Sequence, residues 1–349
     1  MRLPFFLFLT SVVLLGFGCS GSSSSQTDAG VFVSTNGGED FEQSTLVLTS
    51  QGLGTLASTE VSILEMDPED HLVLYAGTSK RGLLLTEDGG QSWMRPRVEA
   101  LKDGYIRDVE VDPTDVCTVY VAKDQRLYKT VDCGRNFDSE VYVETRAEVS
   151  VHRIAVDWYN AQIVWIGLTN GDVLKSEDAG ATWRTVTSSD SAITDILVSN
   201  ADSRNILVST SKDGFLKTFD SGATWNVIEE SLDDYKKADQ VFGMVQTQNT
   251  SVVIASTAYG LLRSFDGGEI WEPVSLLTAS GEVSIRAFGI APDDANKLYY
   301  AAGSIFYRSQ DGGTTWTTSK IQTTKTPNTL VIDPTETSRV YVGIIQLDD

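Results

Sequence analysis

The chain of 349 residues carries only two histidines, His71 and His152, and three cysteines. No His/Cys spacing of a zinc site can be written from them. Neither a Gly-Lys-Ser/Thr phosphate loop nor a nucleophile-elbow serine occurs. Positive charge is scarce: 27 Lys and Arg stand against 48 Asp and Glu, for a formal net charge of −21. That balance argues against nucleic acid and against anionic lipid surfaces as main partners. Long apolar runs are missing except at the amino end, where Leu3 to Phe17 is almost wholly apolar and short for a membrane span.

Glycine is plentiful, and it is periodic. A phrase of Ser or Thr, a spacer, Asp, a Gly-rich pair, then Thr and Trp returns seven times, beginning at 34, 86, 130, 176, 218, 264 and 309. Ser176 to Trp183, Thr218 to Trp225 and Ser309 to Trp316 are the clearest copies. Ser34 to Phe41 and Thr130 to Phe137 have lost the Trp. The steps run from 42 to 52 residues, the spacing of a repeat architecture. Five of the seven Trp fall at the last position of the phrase. A chemical site is needed once, so residues that recur in every unit read as structural. These are Asn36, Asp88, Asp132, Asp178, Asp220, Asp266 and Asp311. Each is expected to accept backbone N–H groups of its own corner, with Gly180 or Gly312 supplying positive φ.

Three short β-branched or aromatic runs precede each phrase, as in Ile106 to Val111, Thr118 to Ala122 and Arg126 to Thr130. A fourth follows it, as in Thr182 to Val186. Four strands per unit at this period make a propeller blade. The chain ends on first and second strands, Asn328 to Pro334 and Arg339 to Gly343, and opens on a third and fourth from Gly30. The expected fold is therefore all-β: a seven-bladed β-propeller with four-stranded blades, one closed by amino- and carboxy-terminal halves.

The phrase resembles the Asp-box of bacterial sialidases and many other propellers, a hairpin corner between the third and fourth strands. Over the whole mature chain the pattern resembles the photosystem II assembly-factor type. That resemblance implies a non-enzymatic assembly protein docking on membrane-protein partners through a basic patch. Here the arginines are scattered and the balance is acidic. A sialidase site is not assembled in its usual order, since the first arginine after the signal segment, Arg81, follows the first box. Xyloglucanase-like enzymes also carry Asp-boxes in seven-bladed propellers, but pair two propellers around a cleft.

The ends divide into residues 1–18, a signal peptide, residues 19–29, a flexible Ser-rich tether, and residues 30–349, the propeller. Leu14 to Ser20 resembles the lipobox of bacterial lipoproteins, with Gly18 before Cys19 and Gly16 where an aliphatic residue is usual. It implies lipidation of Cys19 and a bacterial cell-envelope location, at the outer membrane or periplasmic face; ordinary secretory cleavage is the alternative. Cys117 opens a second strand and Cys133 lies in the following box. Hairpin pairing brings them near one open end, so they form a disulfide or remain two buried thiols.

Function is expected at the channel mouth, where first strands begin. The equivalent residues are Ser62, Arg107, His152, Thr194, Phe242, Arg286 and Asn328, and the next position adds Asp108, Arg153 and Asp195. The position after that is apolar in every blade, from Leu64 to Leu330. The candidate ligand or partner face is thus Arg107, Asp108, His152, Arg153, Asp195 and Arg286, suited to a carboxylate or an acidic peptide. A ring of mutually paired charges is the other reading. No catalytic, cofactor or metal residues are assigned. The expected role is a lipid-anchored, non-catalytic module binding a protein or peptide, a membrane protein among the candidates. The alternative is a glycan-active or glycan-binding protein. Loops near 94–104, 138–150, 229–240 and 273–284 are long enough to line one side of a face, and 229–239 is expected to form a short helix on a rim.

Overall fold

A computed structural model describes residues 27–346 other than Asp138 and Asn249. The signal segment, Cys19 and most of the tether lie outside those residues. Asp28 and Ala29, placed in the tether by the sequence, are part of the body. Ala29 is buried, and the Asp28 carboxylate accepts from Thr324 N–H and Oγ1–H.

The architecture is the expected ring. Inner strands are Val61–Met66, Ile106–Val111, Val151–Val156, Ile193–Val198, Val241–Gln246, Ala287–Ala291 and Thr326–Ile332, and we number the blades one to seven in that order. In the seventh blade Gly30–Ser34 pairs antiparallel with Val340–Ile345, so strands from both ends of the chain share one sheet. Ring closure leaves no radial gap at the termini.

The first blade departs from the common plan. Its sheet holds three regular strands, and the fourth place is filled by Trp93–Met94, which bridges to Leu85. A hairpin that precedes this blade in sequence, Leu46–Thr49 with Gly52–Thr55, adds on beyond it. Leu48 N–H donates to Trp93 O, and Trp93 N–H donates to Leu46 O. The loop 138–150 contains the fourth strand of the second blade, Ser139–Val143, displaced from its box. In 229–239 there is a single 3-10 turn, Glu230–Leu232, with Leu232 and Ala238 buried.

The Asp-box corners close on themselves. In all seven the Ser or Thr hydroxyl donates to the Asp or Asn side chain two residues on. That side chain also accepts the backbone N–H four residues further along, as Asp220 does from Thr224 at 2.8 Å. Two consecutive residues of each corner have positive φ. The first of them is Cys133, Ala179 or Ser221 in three corners, and the second is Gly throughout. These bonds hold Asp132 and Asp220 down to about 2, which is the turn role expected of them. The aromatic peg is less uniform. Trp93 and Trp271 are fully buried, whereas Trp183, Trp225 and Trp316 are half-buried.

One joint between blades was not expected from the sequence. The residue before the box hydroxyl is a cation in five blades, and it reaches the box carbonyls of the next blade. Lys129 donates to Ala179 O, Lys175 to Ser221 O, Lys217 to Asp266 O and Gly267 O, Arg263 to Gly312 O, and Arg308 to Gly37 O. The Lys175 and Lys217 side chains are only 4% and 3% exposed. A positive φ pair turns several carbonyls outward, and a cation satisfies them together. Tyr341 Oη–H takes this place on Gly89 O of the first blade. In the first blade Leu85 stands before the box hydroxyl, so the second blade's box meets no such cation; its peg is Phe137 rather than Trp, and a disulfide joins its Cys133 to Cys117.

Two stability outcomes follow from these joints. Lys217→Met should lower stability by about 1.5–3 kcal/mol, because two buried carbonyls lose a charged donor, while exposed Lys212→Met should change little; urea midpoints decide it. Replacing Cys117 and Cys133 together by Ser should cost about 3 kcal/mol, as expected for a loop of 16 residues, read from the melting midpoint with and without reductant.

Candidate functional site at the channel mouth

Inner strands present one free edge to the ring's centre, and its N–H groups need acceptors. Six of the seven also start with a β-bulge, the exception being Ala287–Ala291, whose register shifts only at Ile290/Ala291. The register shifts between Val61 and Ile63, Ile106 and Asp108, Val151 and Arg153, Ile193 and Asp195, Val241 and Gly243, and Pro327 and Thr329. Ser62, Arg107, His152, Thr194, Phe242 and Asn328 are the bulged residues. A bulge re-aims side chains, which explains why polar groups occupy two successive positions there. Leu64, Val109, Ile154, Ile196, Met244, Phe288 and Leu330 then pack buried between blades.

The bulged residues tie neighbouring blades. Ser62 Oγ–H donates to Ile106 O at 2.6 Å, and Asn328 Nδ2–H donates to Ser62 O at 2.8 Å. His152 Nδ1 lies 2.6 Å from Ile193 O and donates as a neutral imidazole, since burial first, then Arg153 and Arg107, push the ring down to about 3. His152 is therefore an uncharged joint.

Carboxylates stitch the free edge. Asp108 Oδ2 accepts Ile154 N–H at 2.7 Å, and Asp195 Oδ2 accepts Met244 N–H at 2.7 Å. Glu110 Oε1 accepts Val156 N–H at 3.3 Å. Arg153 donates Nη1–H to His152 O at 2.8 Å and Arg107 O at 3.3 Å. Its charge works against the desolvation that raises Asp108 and Asp195. Burial nonetheless carries Asp108 up to about 7.

These groups surround a cavity of about 410 Å³, lined by Asp108, Arg153, Asp195 and Arg286, with Glu65 and Glu110 deeper in. Of the six candidate residues, Asp108, Arg153, Asp195 and Arg286 come together at the lining; Arg107 and His152 stand beside it. Arg107 stacks on Tyr105 at 4.9 Å, and Arg286 stacks on Phe242 at 5.1 Å. Among the described residues neither guanidinium is within ion-pair distance of a carboxylate. Glu65 and Glu110 were missed by the sequence reading. Burial pushes both well above the usual carboxylate range, with repulsion from Asp108 adding at Glu65 and repulsion from Glu65 adding at Glu110. Period-two alternation from Asp108 to Glu110 was the available signal.

Two features elsewhere are joints of the same kind. Trp158 Nε1–H donates to Val198 O at 3.0 Å, and Tyr159 Oη–H bonds Asn200 O, so these aromatics brace the fourth blade. His71, Asp333 and Glu336 are the metal-type trio among the described residues, but Asp333 already accepts from Thr335 and Glu336 N–H groups, and Arg339 pairs with Glu336 at 3.3 Å.

A single ring of seven four-stranded Asp-box blades with a charged central channel defines the class. Within it the chain resembles the photosystem II assembly-factor type: the family profile described as "Photosynthesis system II assembly factor YCF48" matches residues 185–343. A YCF48 structure bound to a D1 peptide aligns with a TM-score of 0.63 at 15% identity, covering 83% of this chain and 94% of that one. The GH74 enzyme of Niastella koreensis aligns with a TM-score of 0.67 at 18% identity, over 82% of this chain and 51% of its own. A curated xyloglucanase of Hypocrea jecorina (strain QM6a) is 28% identical over 148 residues, 39% of this chain. The chain spans 17% of that xyloglucanase and about half of the GH74 structure. At these identities the structural likeness is one of fold.

The raised Asp108 carboxyl gives a pH signature. Its folded pKa lies above the unfolded value, so the folded state holds the proton more tightly, and stability falls as pH climbs from about 4 to about 7. Asp108→Asn should raise the melting midpoint by about 2–4 °C at pH 8 and leave it unchanged at about pH 3.5, below the unfolded value; thermal scans at the two pH values check this.

Proposed function

We propose that the protein is a non-catalytic binding module of the bacterial cell envelope, lipid-anchored through Cys19. In this reading it engages a protein or peptide partner with an acidic group at the channel mouth. The observation that carries the reading is the unpaired guanidinium of Arg286 at the cavity, with Arg107 unpaired nearby. An arginine stacked on an aromatic face keeps its N–H fork directed and available for a carboxylate. The channel carboxylates below are engaged by backbone N–H groups of the next blade, so their first task is structural. The YCF48 structure with bound peptide supports a peptide-binding use of such a ring.

A glycan-active reading is favoured by one observation: Asp108 and Asp195, both raised, share a cavity, as an acid–base pair would. The likeness to xyloglucanases points the same way.

Arg107→Glu with Arg286→Glu should reduce partner capture from envelope membranes at least tenfold, at unchanged melting midpoint, and an acidic peptide should compete with capture by the unaltered protein. Unchanged capture would remove the channel mouth from consideration. Xyloglucan turnover that disappears in Asp108→Asn would establish the glycan reading instead. The anchor is checked separately by the mass of Cys19-containing peptides from membranes.

A further inference from the structure

Residues 43–59 contain no Asp, Glu, Lys or Arg, in a chain of net charge −21. They form the hairpin that rides on the outer edge of the first blade. Its inward side chain, Val47, is buried in the cluster that holds Trp93. Its other face carries Leu46, Leu48 and Leu53, which are 37%, 42% and 78% exposed. Leu48 and Leu53 are cross-strand partners, so the three leucines share one surface. Exposed apolar patches of this kind mark contact surfaces.

The start of the described chain indicates what covers it. Gln43 Nε2–H donates to Thr27 O at 3.0 Å and to Ala29 O at 2.6 Å, so the chain enters the body a few residues from this hairpin. From Cys19 to Thr27 an extended chain reaches about 28 Å at most. We propose that the hairpin Leu46–Thr55 rests on the surface of a zwitterionic lipid bilayer, its three leucines entering the headgroup boundary. The inference rests on the reading that the amino end is anchored at Cys19. Local neutrality is what makes this place suitable, because an acidic surface would be repelled by anionic headgroups and carry a desolvation cost at neutral ones. Arg81, which donates Nη1–H to Thr55 O at 2.9 Å, is a cation held directly on the hairpin and has the sign that lipid phosphates attract.

The test removes dependence on natural lipidation. A chain starting at Ser20, which retains every described blade, is held on nickel-chelating phosphatidylethanolamine/phosphatidylcholine vesicles by an amino-terminal hexahistidine tag. An environment-sensitive fluorophore is placed through Leu53→Cys, or, as the control, through Val227→Cys on the outer strand of the opposite fourth blade. Brominated acyl chains should quench the label at 53 at least threefold more than the label at 227, and Leu46→Ser with Leu48→Ser should abolish the difference. Equal quenching at the two sites overturns the proposal. A signal at 53 that falls when surface density is cut tenfold also overturns it, since it assigns the patch to a second copy of the chain. Loss of lipid on Cys19 in the cell would instead count against the anchoring reading and is measured independently.

Discussion

Each joint in the ring has to satisfy carbonyls that a left-handed corner turns away from its own blade. The Asp-box solves the corner internally, with its carboxylate accepting from its own hydroxyl and backbone. In doing so it leaves outward carbonyls such as Asp266 O and Gly267 O, which only a donor from the preceding blade can reach. A lysine or arginine on the third strand of the preceding blade meets that need, and where it is buried its desolvation is offset by those carbonyls and by an aromatic face, as with Lys175 over Trp165. Where the cation is missing, other bonds stand in. Tyr341 serves the closing joint, and Cys117–Cys133 braces the second blade from within.

The inner rim obeys the same logic with opposite sign. Free N–H groups of first strands face the channel, so carboxylates of the preceding blade receive them. Cations therefore hold outer corners and anions hold inner edges, and both span neighbouring blades. A channel built this way is acidic for structural reasons. Arg153 moderates that field, while Arg286 stands at the mouth without a carboxylate partner.

The repeat, blade number and closure were legible because corners use a narrow set of residues: the second positive-φ position is Gly in every corner, and the corner acceptor demands a short polar side chain. The candidate face was legible in outline, since polar residues at two successive positions betray a strand start. Which of those residues remain free was not legible. His152 and Asp108 become joints through contacts with blades 41 and 46 residues away. The cation before each box was visible as Lys129, Lys175, Lys217, Arg263 and Arg308, yet an exposed and a buried lysine look alike in sequence. The leading hairpin was obscured because its partner strand, Trp93–Met94, comes later in the chain.

The two surfaces left unpartnered by this scheme lie on different parts of the disc. The arginine-bearing mouth is at one end of the channel, whereas the leucine hairpin is on the outer edge, beyond the last strand of the first blade. A disc resting on that hairpin stands on its rim, with the channel axis parallel to the bilayer. The mouth then opens sideways, along the plane of the bilayer. A disc lying flat would turn the same mouth either into lipid headgroups or away from the bilayer altogether. Edge-on seating therefore connects the two proposals physically: the neutral hairpin would set the height and tilt, and Arg286 would meet an acidic group that reaches that height.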